Sequence, residues 1–75
     1  MDEYSVYQFF QDDSYECVRK FVSAKEAVKV FKFYTNNVAS RIGTTVRVII
    51  TDGGDLINAE WIFGKGITFP IGDQE

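Results

Sequence analysis

A capped amphipathic segment in the middle of the chain constrains the fold more than any other feature. The tetrapeptide 23–26 (Ser-Ala-Lys-Glu) matches a capping box and predicts the start of a helix, in which the Ser23 hydroxyl accepts from the Glu26 amide and the Glu26 carboxylate accepts from the Ser23 amide. Gly43 suits the left-handed residue that follows a helix, and Arg41 precedes it where the helix dipole favours a cation. The spacing predicts one helix from about Ala24 to Ile42, roughly 28 Å long. Apolar residues at i, i+3, i+4 and i+7 form a stripe that we expect to lie on a sheet: Ala24, Ala27, Val28, Phe31, Tyr34, Val38, Ala39 and Ile42.

Segments rich in aromatic and β-branched residues lie on both sides of this helix. Residues 3–11 and 15–22 enclose the turn formers Gln-Asp-Asp-Ser, which predicts a β-hairpin with its tip near Asp12 and Asp13. The β-branched run 44–51 predicts a third strand, and Asp-Gly-Gly-Asp at 52–55 predicts a type I′ turn into a returning strand, 56–63. A tight turn at 64–66 leads to a short edge piece at 67–69. The prediction is an α+β domain, an antiparallel sheet in ββαββ order with one long helix packed on one face.

Length and composition exclude several classes of function. The 75 residues allow one domain, 1–75, and leave little volume for a substrate pocket of about 300 Å³. Because the chain has no histidine and a single cysteine, Cys17, it lacks Ser-His-Asp and Cys-His catalysis, histidine-ligated zinc and a disulfide framework. We therefore predict no enzyme activity, no cofactor and no metal. The N-terminal segment is acidic and no apolar stretch nears 18 residues, so we expect a cytoplasmic protein without a membrane span.

Charge is segregated along the chain beneath a net charge of −3. Residues 1–16 carry five acids and no base, residues 17–50 carry seven bases against Glu26, and residues 51–75 carry five acids against Lys65. Solubility and internal neutralisation are sufficient reasons for such a pattern. A basic middle between acidic ends also favours contact with a charged partner.

The side of the helix opposite the apolar stripe is the first candidate site. At 100° per residue this side, here called the helix surface, contains Lys25, Lys29, Lys32, Phe33, Asn36 and Ser40, with Val30 on the flank. An aromatic residue framed by lysines can anchor an acidic protein or nucleic acid. The alternative is that a tail or a second subunit covers this side of the helix.

The second face of the sheet is another candidate, because one helix covers only one face. Apolar residues suited to the second face are Tyr7, Phe9, Val18, Ile49, Leu56 and Ile62, although their placement depends on strand register. If they share it, we expect a homodimer formed by sheet packing or by pairing of edge strands. Stacking of single-stranded nucleic acid on this face is a weaker alternative, because the βαββαβ order and aromatic motifs of RRM domains are absent.

The acidic turns have a structural and a functional interpretation. Asp12 and Asp13 are ordinary solvated turn residues or contacts for a basic partner. Asp52 and Asp55 could hold Mg²⁺ beside a substrate phosphate, but the type I′ turn accounts for the glycines between them.

The strings Thr-Asp-Gly-Gly-Asp at 51–55 and Glu-Trp at 60–61 are the most distinctive in the chain. In size, acidity and hairpin–helix–hairpin order, the whole chain resembles the small inhibitor proteins that phages encode, including anti-CRISPR proteins. The resemblance implies binding to a host defence complex and blocking of its nucleic-acid channel or nuclease recruitment, with Asp12, Asp13, Asp52 and Asp55 imitating phosphate.

These observations together predict a small non-catalytic protein–protein interaction module. Its expected partner is a protein or a nucleoprotein complex. The alternatives are a nucleic-acid-binding protein that uses the helix surface and an uncharacterised homodimeric bacterial domain.

Overall fold

The predicted hairpins are parts of one antiparallel sheet. The computed structural model describes residues 3–52 and 57–69. The strands are β1 (Tyr4–Phe10), β2 (Tyr15–Val22), β3 (Thr45–Thr51), β4 (Ile57–Ile62) and β5 (Gly66–Phe69), and the helices are α1 (Ala24–Asn36) and α2 (Val38–Arg41). The strands lie in the order β2-β1-β3-β4-β5, and every neighbouring pair is antiparallel. The α+β class is thus confirmed, while the ββαββ order gains a fifth strand from the short edge piece.

The prediction of one long helix to Ile42 is wrong, because the helix breaks at Asn37. Asn37 has an extended backbone (φ −81°, ψ 178°) and both ends α1 and begins α2. Its side-chain oxygen accepts from the Ser40 amide at 3.0 Å, and the Ser40 hydroxyl donates to its carbonyl at 2.9 Å. An asparagine side chain caps a helix more readily than it continues one, and here that preference overrides the apolar spacing.

The break changes which side chains reach the core. Val38 and Ile42, predicted to lie on the packing stripe, are 71% and 67% exposed, and Ser40 is buried rather than on the helix surface.

Neither helix in the described residues has the length and apolarity needed to cross a bilayer.

The first half of the helix follows the sequence prediction in part, since Ala24, predicted on the packing stripe, is exposed. The Ser23 hydroxyl accepts from the Glu26 amide at 3.1 Å, so the predicted N-cap is confirmed, but within the described residues the Glu26 carboxylate does not accept from the Ser23 amide as predicted. Ala27, Val30 and Phe31 face the sheet and are buried, with Phe31 fully so. Val30 was expected on the flank, and its burial moves the packing face toward Phe33. The core that they share with the sheet contains Val6, Val48, Ile50 and Ala59.

Strand register assigns each side chain to a face. Val6, Ile50 and Ala59 pair across β1, β3 and β4 on the helix side, whereas their neighbours Tyr7, Ile49 and Glu60 pair on the opposite side, here called the open face. Val18 packs against the helix-side core, so its predicted place on the second face is wrong. Leu56 lies outside the described residues.

Gly43 connects α2 to β3 in a left-handed conformation with φ 86°, as predicted for the residue after a helix. Its carbonyl accepts a 2.8 Å hydrogen bond from Gln11 Nε2. A Cβ added at Gly43 would lie 3.1 Å from Cζ of Phe63. The α2–β3 connection therefore lies between Gln11 of the β1–β2 turn, which donates to it, and the ring of Phe63, which follows β4.

Candidate functional site

Five of the six residues predicted for the helix surface lie together on the outer side of α1, and the sixth, Ser40, is buried in α2. Lys25, Lys29, Lys32, Phe33 and Asn36 are all exposed, and Phe33 is 63% exposed. The periodicity of the helix therefore placed these side chains correctly relative to solvent. Because Val30 is buried, Phe33 stands on the shoulder of this surface rather than at its centre.

Neighbouring groups fix the geometry of the helix surface. The Phe33 ring meets the Tyr34 ring edge to face, with 5.1 Å between centroids and 81° between planes, and Tyr34 packs against the core. Asn36 Nδ2 and Thr35 Oγ1 each donate to the Lys32 carbonyl at 3.1 Å. The Phe33 ring thus packs on Tyr34, and side-chain hydrogen bonds to the Lys32 carbonyl stabilise the last turn of α1.

The charge of this surface is available to an external anion. In the described part of the chain, no carboxylate forms an ion pair with Lys25, Lys29 or Lys32. Three ammonium groups along one side of a helix create a local positive potential, despite the net charge of −3. The surface can therefore attract an acidic partner and offer it an apolar contact at Phe33.

The β1–β2 turn contains the predicted acidic tip. Asp12 Oδ1 accepts from the Ser14 amide at 3.1 Å and from the Ser14 hydroxyl, and the Ser14 hydroxyl is the main reason that the pKa of Asp12 lies below its ordinary value. Asp13 has a left-handed backbone with φ 72°. Both side chains are exposed. Accepting a nearby backbone N–H, as Asp12 does, and adopting a left-handed backbone, as Asp13 does, are common for aspartate in turns.

The three predicted acidic residues that the structure describes, Asp12, Asp13 and Asp52, do not form one patch. Ser5 pairs with Thr51 and Phe10 pairs with Thr45, so the Asp12–Asp13 tip and Asp52 lie beyond opposite ends of the β1–β3 pair. The two ends are five residue steps apart along β1, from Ser5 to Phe10, which corresponds to a distance of roughly 17 Å. Asp55 lies outside the described residues. A partner that touched both acidic ends would have to span the sheet.

The open face has a polar network that sequence reasoning missed. Arg47 Nε lies 2.6 Å from Glu60 Oε2, and Thr68 Oγ1 donates to Glu60 Oε1 at 2.8 Å. The Thr68 hydrogen bond, followed by that of Arg47, lowers the pKa of Glu60 below its ordinary value. Opposite charges at diagonal positions of neighbouring strands were the available signal, but only the register shows that Arg47 and Glu60 are neighbours.

Aromatic rings cover the other half of the open face. Tyr15 contacts Tyr7 and Phe9 with centroid separations of 6.2 and 5.6 Å, and the Arg47 guanidinium lies 5.1 Å from the Phe9 centroid. Burial, followed by the nearby Cys17 thiol, raises the pKa of Tyr7. Ile49 between them is only 6% exposed. Ile49 on the open face is thus covered, whereas Tyr15 on the same face is 65% exposed.

Groups suited to catalysis or metal binding are sparse in the described residues. No three side chains of the types His, Cys, Asp and Glu are grouped there in a way that could hold a metal ion. An open groove of about 380 Å³ beside the acidic tip is lined by Phe10, Gln11, Asp12, Ser14 and Thr44, and its one carboxylate is engaged by Ser14.

No protein-family model, curated protein or solved structure matches this chain. A proposal for its function therefore has to come from its surfaces.

Proposed function

We propose that the chain is a small non-catalytic module that docks its helix surface onto an acidic surface of a partner protein. One observation carries this proposal: Phe33 is 63% exposed beside three lysines that have no carboxylate partner in the described part of the chain. An aromatic residue inside a charged rim is the arrangement that dominates binding energy in many protein interfaces. The partner that complements it has an apolar pocket surrounded by carboxylates.

The form of action that we propose is inhibition by occupying the partner's surface. The outline that resembles phage inhibitors supports a host defence complex, a nucleoprotein in the cytoplasm, as that partner. The Asp12–Asp13 tip supports imitation of phosphate at one end of the molecule, since both carboxylates are exposed. Asp52 lies at the other end of the sheet, so it would contact a separate part of the partner.

Nucleic-acid binding through the same surface is the second candidate, because phosphate would also complement Lys25, Lys29 and Lys32. Affinity for nucleic acid comes mainly from released counterions, and three lysines on a chain of net charge −3 provide few of them. A homodimer through sheet packing has less support, because Ile49 is covered and the Arg47–Glu60 pair occupies part of the open face, which leaves Tyr15 as its strongly exposed ring. These considerations favour a protein partner.

Affinity capture from a host lysate tests the proposal, using tagged wild type, Phe33→Glu and Val38→Glu in parallel. Both variants add one carboxylate at an exposed site in a helix. Val38 is the first residue of α2, where a negative charge interacts favourably with the helix dipole. Val38→Glu should therefore fold normally and is the matched control. We expect one acidic protein or ribonucleoprotein to be retained by wild type and Val38→Glu and lost with Phe33→Glu.

Three outcomes would contradict parts of this proposal. Retention of the same partner by Phe33→Glu would remove Phe33 from the site, and equal loss with Val38→Glu would indicate an effect of net charge alone. A mobility shift with nucleic acid that weakens steeply between about 50 and 200 mM salt would favour the second candidate. Melting curves must accompany the capture, and we expect Phe33→Glu to lose about 1 kcal/mol or less, mainly from the Tyr34 contact.

A further inference from the structure

The C-terminal end of β2 contains an irregularity that the sequence did not indicate. Along β1 and β2, Tyr4 is opposite Val22 and Val6 is opposite Arg19, so two residues of β2 lie opposite Ser5 alone. The two residues are Lys20 and Phe21, and they form a β-bulge immediately before α1.

Phe21 adopts a conformation that is unfavourable for its residue type. Its φ is 56°, in the left-handed region, where a bulky side chain is a genuine outlier. Its ring is 65% exposed, so burial within this chain does little to offset the strain. Among the described residues, its ring contact is with the Lys20 ammonium, 5.6 Å from the centroid. Glycine or asparagine would suit this backbone better, so the fold itself gives no reason for a phenylalanine here.

Basic residues lie close to Phe21 in the sequence, and one of them, Lys25, belongs to the helix surface, although Glu26 also lies in the first turn of α1. Arg19 and Lys20 precede it, and Lys25 follows in the first turn of α1. All three are exposed, and none forms an ion pair in the described part of the chain. Arg19 Nη1 donates to the Val18 carbonyl at 2.7 Å, which keeps that cation beside the bulge.

We propose that Phe21 is a second docking residue, which inserts into an apolar pocket of an acidic protein and extends the helix surface along the β2 bulge. The charge of Arg19, Lys20 and Lys25 favours this occupant, because a surface rich in carboxylates complements cations beside an exposed ring, and a net charge of −3 counts against nucleic acid. The inference rests on the proposed function and assigns the same partner to both phenylalanines. The strained backbone holds the ring away from the chain's own core before the partner arrives.

Site-specific photocrosslinking in the intact chain tests this contact. The probe is p-benzoylphenylalanine placed at position 21, at position 33, or at position 67 as the control. Ile67 is 54% exposed on β5, the edge of the sheet opposite β2. We expect positions 21 and 33 to crosslink the same protein, with the crosslinked peptides of that protein rich in aspartate and glutamate, and position 67 not to crosslink it.

Each result has a defined meaning for the two proposals. Crosslinking from position 33 but not from position 21 would overturn the role of Phe21 and leave the proposed function intact. Crosslinking from neither position would overturn both. A crosslink from position 21 to a second copy of the chain, or to nucleic acid, would overturn the assignment of an acidic protein.

Three substitutions separate binding from folding at Phe21. Phe21→Tyr retains a ring and should retain the partner, whereas Phe21→Ala and Phe21→Gly should lose it. Phe21→Gly should melt about 5 °C above Phe21→Ala, because glycine accepts the left-handed backbone. Loss of the partner by Phe21→Gly with a melting point no lower than that of the wild type cannot come from unfolding. A melting point of Phe21→Gly below that of Phe21→Ala would contradict the strain from which the proposal starts.

Discussion

Replacing Gly43 by alanine should destabilise the chain through two separable effects. The first is conformational: with φ at 86°, an L side chain costs about 1–2 kcal/mol, reduced by the smaller entropy of the unfolded alanine chain. The second is steric, because the new Cβ would lie 3.1 Å from Cζ of Phe63, closer than the favourable carbon–carbon separation of about 3.5–4.0 Å. Phe63 is 44% exposed and its ring can give way, so we assign this contact about 1 kcal/mol.

Gly64 provides a matched control for the conformational effect. Its φ is 87°, and a Cβ added there would meet nothing within 4 Å. Gly64→Ala should therefore cost about 1 kcal/mol and Gly43→Ala about 2 kcal/mol, or Tm losses of roughly 5 and 10 °C for a domain of this size. Urea and thermal denaturation followed by circular dichroism measure both values.

A double-mutant cycle isolates the contact with Phe63. In a Phe63→Ala background, the excess cost of Gly43→Ala over Gly64→Ala should disappear, because the ring that the Cβ meets is gone. Equal costs for the two glycines in wild type would refute the steric argument. A neutral Gly43→Ala would refute the left-handed conformation itself.

Two further predictions concern buried and partly buried polar groups. Thr45 is fully buried and donates to Gln8 Oε1 at 3.0 Å. Thr45→Val should therefore lower the free energy of unfolding, measured by urea denaturation, by about 1–3 kcal/mol. The double variant Thr45→Val, Gln8→Leu should recover part of that loss. Equal stability of Thr45→Val and wild type would show that the hydrogen bond contributes nothing. Because Thr68 and Arg47 lower the pKa of Glu60 in the folded state, its ionised form stabilises the fold above the ordinary pKa of 4.5, and that contribution is lost as pH falls through the lower folded value. The Tm of Glu60→Gln should therefore lie below that of wild type at pH 6 and approach it below pH 4, and a difference independent of pH would contradict the role of the carboxylate.

Local signals in the sequence sufficed for much of the fold. The Ser23 cap, the buried position of Phe31 and the left-handed Gly43 each depend on a few neighbouring residues, whose preferences agree with the final structure. The exposure of Phe33 followed from helical periodicity in the same way. These features could be predicted because no distant contact competes with them.

The remaining features depend on competition or on register. At Asn37, a capping side chain competes with an apolar repeat that runs through Val38 and Ile42, and periodicity alone cannot weigh the two. The Arg47–Glu60 pair joins residues on different strands and exists only in one register. The left-handed Phe21 has no signal in the sequence, because phenylalanine is an unexpected residue for that backbone.

The two edges of the sheet affect how the protein behaves at high concentration. A straight, regular edge strand is a template onto which another chain can add, and repeated addition leads to cross-β fibrils. The β2 edge is interrupted by its bulge and carries Arg19 and Lys20, while β5 has only four residues. Within residues 3–52 and 57–69, neither edge offers a long row of backbone groups to an incoming strand. A chain whose pI is near 4.8, and which carries little charge in mildly acidic solution, would therefore be protected from ordered aggregation by the geometry of its edges rather than by repulsion.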